Sequence, residues 1–168
     1  MIYRFFWETG PTSVLVGDTM EKALASIGFS PKSMEIVTKC DEVRLPKYVE
    51  AEFLRSNPDV VFVFGDNLLR KGKGGAAKLR DEPNAYGFIT KKYPNWKDDS
   101  FYRPEEYLPI FREELNKLNR ELFDNVGRKV FLITKLGAGL ANKYNIYEEV
   151  IKPWRECIEM FWPHAILI

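Results

Sequence analysis

Residues that build common catalytic sites are scarce in this chain. Among its 168 residues there is one histidine, His164, and there are two cysteines, Cys40 and Cys157. A single histidine excludes a multi-histidine metal site, and the two cysteines lie too far apart in the sequence for metal-ligand spacing. A serine–histidine–acid triad would depend on His164 alone, and we do not expect one. We therefore predict reduced cysteines, no metal and no cofactor.

An excess of charge and long apolar runs are also lacking. The 25 basic and 24 acidic residues leave a formal net charge of +1, so any preference for nucleic acid must be local. No apolar run approaches the ~20 residues that a membrane-spanning helix needs, and the first four residues do not resemble a signal peptide. The sequence therefore predicts a cytoplasmic protein without a membrane partner, and it leaves the oligomeric state open.

The residues that are present suit a globular fold, since 45% are apolar and 29% are charged. The length fits one domain with a small appended unit, and we expect residues 1–45 to form that unit as β-β-α-β. Aromatic and β-branched residues predict a hairpin over residues 3–7 and 13–16. Asp18 is the expected N-cap of the helix that follows, and residues 34–40 are the expected third strand. Nothing in this unit points to chemistry, so we interpret it as structural.

Strands and helices alternate over residues 46–168, which favours an α/β fold. We expect these residues to form one domain built as a three-layer sandwich with a mixed sheet. Two of its strands are continuous apolar runs, which is typical of strands buried on both faces. The predicted strands are residues 60–64, 88–90, 130–133 and 164–168. The predicted helices are residues 47–56, a long helix from Pro104 to Gly127, and residues 146–161.

A glycine-rich loop follows the first buried strand. The apolar run gives way to Gly65, Asp66 and Asn67, and alternating lysine and glycine occupy residues 71–75. Glycine lets a ligand approach the main chain closely, and a helix that begins near Gly75 would direct unpaired N–H groups at an anion. The spacing matches neither the P-loop nor the dinucleotide fingerprint. Both a phosphate-binding loop and an ordinary surface turn fit this segment.

A second glycine-rich segment, Gly137-Ala138-Gly139, follows the other buried strand. In open α/β sheets ligands bind beyond the carboxyl ends of the strands, so the two segments would form two walls of one cleft. A diphosphate between them would accept N–H bonds from both walls. Taken alone, the second segment also fits a tight strand-to-helix turn. The ligand-binding candidates are Gly65, Gly72, Gly74, Gly75, Ala76, Thr90, Gly137, Ala138, Gly139, Leu140, Asn142 and Tyr144.

Polar side chains beside these segments are candidates for specificity and chemistry. Asn67 fits a ribose hydroxyl, and Asp66 fits an adenine amino group or a ribose, although both residue types also favour turns and caps. Lys91 would pair with a phosphate, or act as a nucleophile if its pKa were lowered, whereas such a lysine is more often a solvated surface charge. Asn142 and Tyr144 would close over a ribose or phosphate, and Tyr144 would equally serve as a core anchor. The aromatic residues that would stack on a base, or else pack in the core, are Tyr86, Phe88, Tyr93 and Trp96.

These segments resemble a known family. Residues 62–67, 72–77, 88–91 and 131–141 together are similar to a divergent, phage- and bacterium-associated branch of macrodomain-like proteins. The resemblance covers residues 58–168 and implies a macrodomain-like fold that binds ADP-ribose. It also implies that Asn67 approaches the distal ribose and that the two glycine-rich segments hold the diphosphate.

Three functions remain as alternatives. In the first, the cleft binds ADP-ribose or a related NAD-derived nucleotide and hydrolyses ADP-ribosyl linkages without a metal. A bound water attacks the anomeric carbon, Asn67 orients the ribose, and Asp66 or Lys91 assists as general acid/base or transient nucleophile. In the second, a non-catalytic protein binds or sequesters a nucleotide, as a phage counter-defence protein would. The third, which we favour least, is nucleic-acid binding by the basic residues Arg70, Lys71, Lys73, Lys78 and Arg80.

Overall fold

The computed structural model describes residues 1–168 and contains two separate β-sheets. The strands are β1 (Ile2–Trp7), β2 (Ser13–Val16), β3 (Val37–Val43), β4 (Val60–Asn67), β5 (Ala85–Lys91), β6 (Val130–Ile133) and β7 (Ala165–Leu167). The α-helices are α1 (Met20–Ala25), α2 (Ala51–Ser56), α3 (Pro104–Asp124), α4 (Lys152–Arg155) and α5 (Ile158–Phe161). Short 3₁₀ segments span Pro31–Ile36, Gly75–Leu79 and Asp98–Ser100, and a π-helical turn spans Tyr147–Ile151. The predicted α/β class is confirmed.

The N-terminal residues form an antiparallel sheet in the order β2-β1-β3. The predicted hairpin of β1 and β2 is confirmed, and β3 pairs with the other side of β1. The N-cap of α1 is Thr19 rather than Asp18, because Thr19 Oγ1 accepts the Lys22 N–H at 3.2 Å. The third strand begins at Val37, later than predicted, because a 3₁₀ segment opening at Pro31 precedes it.

This antiparallel sheet covers one face of the parallel sheet. Ile2, Val14 and Val43 are buried in the same apolar cluster as Phe62 of β4 and Leu132 of β6. The opposite face of the antiparallel sheet packs on α1 in a smaller cluster. The N-terminal unit therefore supplies a layer of the fold, and its status as a separate domain stays a prediction.

The second sheet has the order β5-β4-β6-β7, and every neighbouring pair in it is parallel. The sheet over residues 46–168 is therefore entirely parallel rather than mixed as we expected, and the antiparallel strands form the separate N-terminal sheet. Alternate residues of β4 point to opposite faces, as in any strand. Val61 and Val63 lie in the cluster that includes α3, whereas Phe62 and Phe64 lie in the cluster under the antiparallel sheet. Helices therefore cover one face of the parallel sheet, and the antiparallel sheet with α2 covers the other.

The long helix α3 protects the edge strand β5. The Tyr107 hydroxyl donates to the Ile89 carbonyl at 2.7 Å, and the buried Glu114 carboxylate accepts the Ile89 N–H at 2.9 Å. These bonds occupy backbone groups that an edge strand otherwise leaves open to pairing with another chain. The helix begins at Pro104, as predicted, and its contacts fix the strand that leads to Lys91.

One predicted helix is broken. The segment over residues 146–161 is divided into the π-helical turn, α4 and α5. Pro153 lacks an N–H, and its ring crowds the preceding turn, so regular α-helical bonding is interrupted near it. No helix in the structure combines the length and the apolar character needed to cross a membrane.

The order of the parallel strands creates a crevice at their carboxyl ends. The chain adds β5 on one side of β4 and then returns to add β6 on the other side. Ligands of open α/β sheets bind at such a switch point, here between β4 and β6. Both β4 and β5 run farther than predicted, to Asn67 and Lys91, and so carry polar side chains beyond the apolar core.

Candidate functional site

A cavity of about 390 Å³ lies at the carboxyl ends of β4, β5 and β6, and we call it the cleft. One wall is the first loop, residues 71–76, and the other is the second loop, residues 134–141. The loops approach closely, since a Cβ added at Gly74 would lie 3.9 Å from Leu140 Cδ1. The predicted site residues that line the cleft are Gly65, Asp66, Asn67, Gly72, Gly74, Gly75, Ala76, Thr90, Lys91, Gly137, Gly139 and Leu140.

Backbone N–H groups without a protein acceptor occur in both loops. In the first loop, the amides of residues 72–76 donate no hydrogen bond within the protein. Gly72 and Gly75 take positive φ angles of 83° and 56°, a conformation that glycine adopts readily. In the second loop, five amides are likewise without an acceptor: those of Lys135, Gly137, Gly139, Leu140 and Ala141. Successive unpaired amides of this kind form anion-binding concavities.

The charged side chains that line the cleft are predominantly cationic. Lys71, Arg80, Lys91 and Lys135 line it, and the single carboxylate among the lining residues is that of Asp66. The molecule as a whole has a formal net charge of only +1. Positive charge is therefore concentrated where the unpaired amides lie, which favours an anionic ligand.

Asp66 is held by two arginines beneath the first loop. Its side chain is 1% exposed, and Arg80 Nη2 donates to its Oδ1 at 2.5 Å while Arg70 Nη1 donates to its Oδ2 at 3.1 Å. The Asn67 N–H also donates to Oδ1, at 2.8 Å. Burial acts to raise the pKa of Asp66, but the hydrogen bonds from Arg80, Asn67 and Arg70 outweigh it and lower that pKa. An ionised, fully occupied carboxylate positions its neighbours better than it transfers protons.

Arg80 connects this carboxylate to the first loop. Its side chain is 14% exposed, and it donates to the carbonyls of Lys71 and Gly72 as well as to Asp66. The guanidinium also lies 5.8 Å from the centroid of the Phe64 ring. The half-buried Arg80, one of the basic residues that the sequence suggested for nucleic-acid binding, therefore anchors the first loop.

Four of the five basic residues suggested for nucleic-acid binding, which we call the basic patch, form ion pairs within the protein. Lys73 pairs with Asp81 at 2.5 Å, and Lys78 pairs with Glu50 at 2.9 Å. Both arginines of the patch bind Asp66. Lys71 is the member that lines the cleft without such a partner. The patch therefore offers little uncompensated charge to a nucleic-acid backbone.

Asn67 lies in the cleft wall and also shapes the start of the first loop. Its Nδ2 donates to the Lys71 carbonyl at 2.7 Å, and its Oδ1 accepts the Leu69 N–H at 3.1 Å. These bonds form the side-chain turn that asparagine favours. The predicted contact between Asn67 and a ribose stays a prediction.

Lys91 lies between two aromatic rings at the mouth of the cleft. Its Nζ is 4.7 Å from the centroid of Trp96 and 4.4 Å from that of Phe101, and it donates to the Asn95 carbonyl at 2.6 Å. Burial lowers the pKa of Lys91. Trp96 is 69% exposed and lines the cleft, so its ring is available for stacking. The other aromatic candidates do not line the cleft, and they are Tyr86, Phe88 and Tyr93.

Two Thr-Lys pairs flank β4 symmetrically, and sequence reasoning singled out only the first. Thr90-Lys91 ends β5, and Thr134-Lys135 directly follows β6. The Thr90 hydroxyl donates to the Asp66 carbonyl at 3.4 Å, and the Thr134 hydroxyl donates to the Val63 carbonyl at 2.9 Å. Each threonine thus anchors its strand end to β4, and each following lysine lines the cleft. Repetition of Thr-Lys after two buried strands was the signal that could have identified Lys135.

Three predicted site residues are not brought into the cleft, namely Ala138, Asn142 and Tyr144. The Asn142 side chain accepts the Tyr147 N–H at 2.9 Å and donates to the Glu148 carboxylate, also at 2.9 Å. Tyr144 donates to Asp98 and stacks against Arg103, and Ala138 packs against the core. The lining residues outside the catalytic, ligand-binding and base-stacking candidates are Lys71, Ala77, Arg80, Pro94, Thr134, Lys135, Leu136 and Ala141.

Comparison with known proteins identifies one family. A model described as a family of unknown function, DUF7831, matches residues 45–144. The match begins where the antiparallel unit ends, and it contains both loops of the cleft. Searches of curated proteins and of solved structures found no match, so the resemblance to macrodomains stays a prediction. Over more than half of its length the chain matches this model, and it therefore belongs to the DUF7831 family of unknown function.

Proposed function

We propose that this protein binds a nucleotide with a diphosphate group, ADP-ribose or a related NAD-derived nucleotide, in the cleft. The observation that carries the proposal is the pairing of two loops with unpaired amides across a cavity lined by four cations. A diphosphate has enough acceptor oxygens to bind amides of both loops at once. The choice of ADP-ribose among such nucleotides rests on the sequence resemblance.

The dimensions of the cleft favour a small ligand over a polymer. Its volume of about 390 Å³ lies within the range typical of small-molecule sites, roughly 300–1,000 Å³. The neighbouring surface lysines at residues 73 and 78 are neutralised by Asp81 and Glu50. A nucleic-acid strand would need a longer run of uncompensated charge outside the cleft.

Hydrolysis of an ADP-ribosyl linkage in the same cleft is a second candidate function, and Lys91 is the residue that favours it. Burial lowers the pKa of Lys91, and its amine lies between Trp96 and Phe101 beside the cleft, which suits a group that exchanges a proton with a bound ligand. In this proposal a bound water attacks the anomeric carbon as its bond to the leaving group breaks, and Asn67 orients the ribose. Lys91 donates a proton to the leaving group and regains one from the attacking water. Asp66, occupied by two arginines, positions the loop. A protein that only binds or sequesters the nucleotide would use the same contacts without turnover.

Calorimetric titration with ADP-ribose, NAD and AMP tests the binding proposal. We expect ADP-ribose to bind, and Lys135→Ala to weaken it by about tenfold or more, since a hydrogen bond to a charged group contributes roughly 1.5–3 kcal/mol. Lys32→Ala is the matched control, because Lys32 is exposed and lies outside the cleft. Absence of binding for all three nucleotides, or equal affinities of the two variants, would contradict the proposal. A turnover assay on ADP-ribosylated protein with Lys91→Met then separates hydrolysis from simple binding.

A further inference from the structure

A second cavity of about 690 Å³ lies beside the cleft. It is enclosed by the segment over residues 45–50, which connects β3 to α2, and by the face of the parallel sheet. Its apolar lining consists chiefly of Leu45, Pro46, Val49, Phe62, Leu79 and Leu132. This lining suits an uncharged, hydrophobic group rather than a phosphate.

The second cavity and the cleft share part of their boundary. Gly75, Ala76 and Thr134 line both cavities. Gly75 has no side chain, and a Cβ added there would meet no atom within 4 Å. The boundary on this side is therefore main chain and one methyl group, without a bulky side chain. The two cavities therefore adjoin at these residues.

Charge differs between the two cavities. Three lysines line the second cavity: Lys73 is bound by Asp81, Lys78 is bound by the lining carboxylate of Glu50, and Lys47 alone has no carboxylate partner. In the cleft, Lys71, Lys91 and Lys135 line the walls, and the one carboxylate there is occupied by arginines. The anionic part of a ligand is therefore favoured in the cleft, and its uncharged part in the second cavity.

The segment over residues 45–50 also offers backbone hydrogen-bonding groups beside the apolar part of the lining. The amides of Lys47, Tyr48, Val49 and Glu50 donate no hydrogen bond within the protein. Tyr48 is 70% exposed at the rim and stands with its ring 5.4 Å from Lys47 Nζ. A planar heteroaromatic base has two apolar faces and a polar edge, which matches apolar walls bordered by free backbone groups.

We infer that the second cavity binds the base of the same nucleotide whose phosphates the cleft holds. This inference rests on the proposed function and extends it, because it specifies a ligand that spans both cavities across Gly75 and Ala76. The nucleobase enters beneath residues 45–50, and the diphosphate lies between the two loops. The base contacts then lie at the beginning of the segment that matches the DUF7831 model.

Titration of ADP and of inorganic diphosphate into Val49→Trp tests this inference. Position 49 lines the second cavity but not the cleft, so the indole would fill the second cavity from the side away from the two loops' cations. We expect the affinity for ADP to fall by about tenfold or more, toward that of diphosphate, while the affinity for diphosphate stays within about twofold of the parent protein. Val126→Trp is the matched control, since Val126 is an exposed valine that lines neither cavity, and it should leave both affinities unchanged.

A second variant keeps the test decisive if the tryptophan disturbs folding. Tyr48→Ala removes an exposed ring at the rim, so we expect a parental melting temperature and a selective loss of about threefold in ADP affinity. Unchanged ADP affinity in both folded variants would place the base elsewhere and leave anion binding in the cleft intact. Equal losses for ADP and diphosphate in a folded variant would also overturn the inference. If the parent protein binds neither probe, the proposed function fails together with it.

Discussion

The two walls of the cleft follow neighbouring parallel strands, yet different interactions fix them. The first loop depends on a buried carboxylate, since Asp66 binds Arg80, and Arg80 binds the carbonyls of Lys71 and Gly72. In the second loop, Leu136 is buried in the apolar cluster, and Gly137 lies against Ile151.

A buried ion pair fixes the first wall and apolar packing fixes the second. Removing a charge should therefore destabilise the first wall, and adding a methyl group should destabilise the second. A buried ion pair is costly to break, because removal of one partner leaves the other charge without compensation. A packed turn is instead sensitive to added volume, because the interior has no room for extra atoms. Alanine substitutions in each wall, each paired with a control variant, therefore test whether charge or packing fixes that wall.

The largest effect is expected for Asp66→Ala. It leaves Arg80, which is largely buried, without its carboxylate, and breaking such a pair costs about 3–5 kcal/mol of unfolding free energy. Urea unfolding measures the loss, and nucleotide binding should disappear with it. Asp81→Ala is the control, since the Asp81–Lys73 pair is exposed and such pairs contribute about 0–1 kcal/mol. Equal losses for the two variants would show that charge does not fix the first wall.

A smaller effect is expected for Gly137→Ala in the second wall. Gly137 has a φ of +73°, and an added Cβ would lie 2.5 Å from Ile151 Cδ1. Backbone strain and crowding together should cost about 2–4 kcal/mol of unfolding free energy. At Gly139 a Cβ meets no atom within 4 Å, so Gly139→Ala should stay within about 1 kcal/mol of the parent protein. A tolerated alanine at Gly137 would mean that packing does not set this wall.

The contrast also explains which features the sequence could predict. Apolar runs predicted β4 and β6 because burial on both faces leaves a continuous hydrophobic pattern, and glycines predicted the loops that follow. The pair of Asp66 and Arg80 could not be predicted, because 14 residues separate them and the path of the loop alone brings them together. Asn142 and Tyr144 have residue types that suit a ligand site, but local bonds to Glu148 and Asp98 hold them outside the cleft.

The smallest expected effect is that of low pH on the parent protein, which should weaken the first wall and leave the second unchanged. The pKa of Asp66 is lower in the folded protein than its ordinary value near 3.8. Its contribution to stability is therefore complete above that value and is lost as the pH falls below it, through the lowered pKa. A protonated Asp66 still accepts one arginine hydrogen bond, so acid should loosen the first wall less than Asp66→Ala does.

Nuclear magnetic resonance provides a reporter in each wall. The Asn67 N–H donates to Asp66 Oδ1 at 2.8 Å, and the Thr134 N–H donates to the Val63 carbonyl at 3.1 Å. Between pH 5 and pH 2, roughly the range around a carboxyl pKa, the Asn67 resonance should shift with a midpoint below 3.8 while the Thr134 resonance stays in place. The same titration in Asp81→Ala tests whether the neighbouring Asp81 carboxylate, rather than Asp66, causes the shift of the Asn67 resonance. If the midpoint of the Asn67 shift lay at or above the ordinary value, hydrogen bonds would not outweigh burial at Asp66. The first wall would then have to be fixed by its backbone turns rather than by charge.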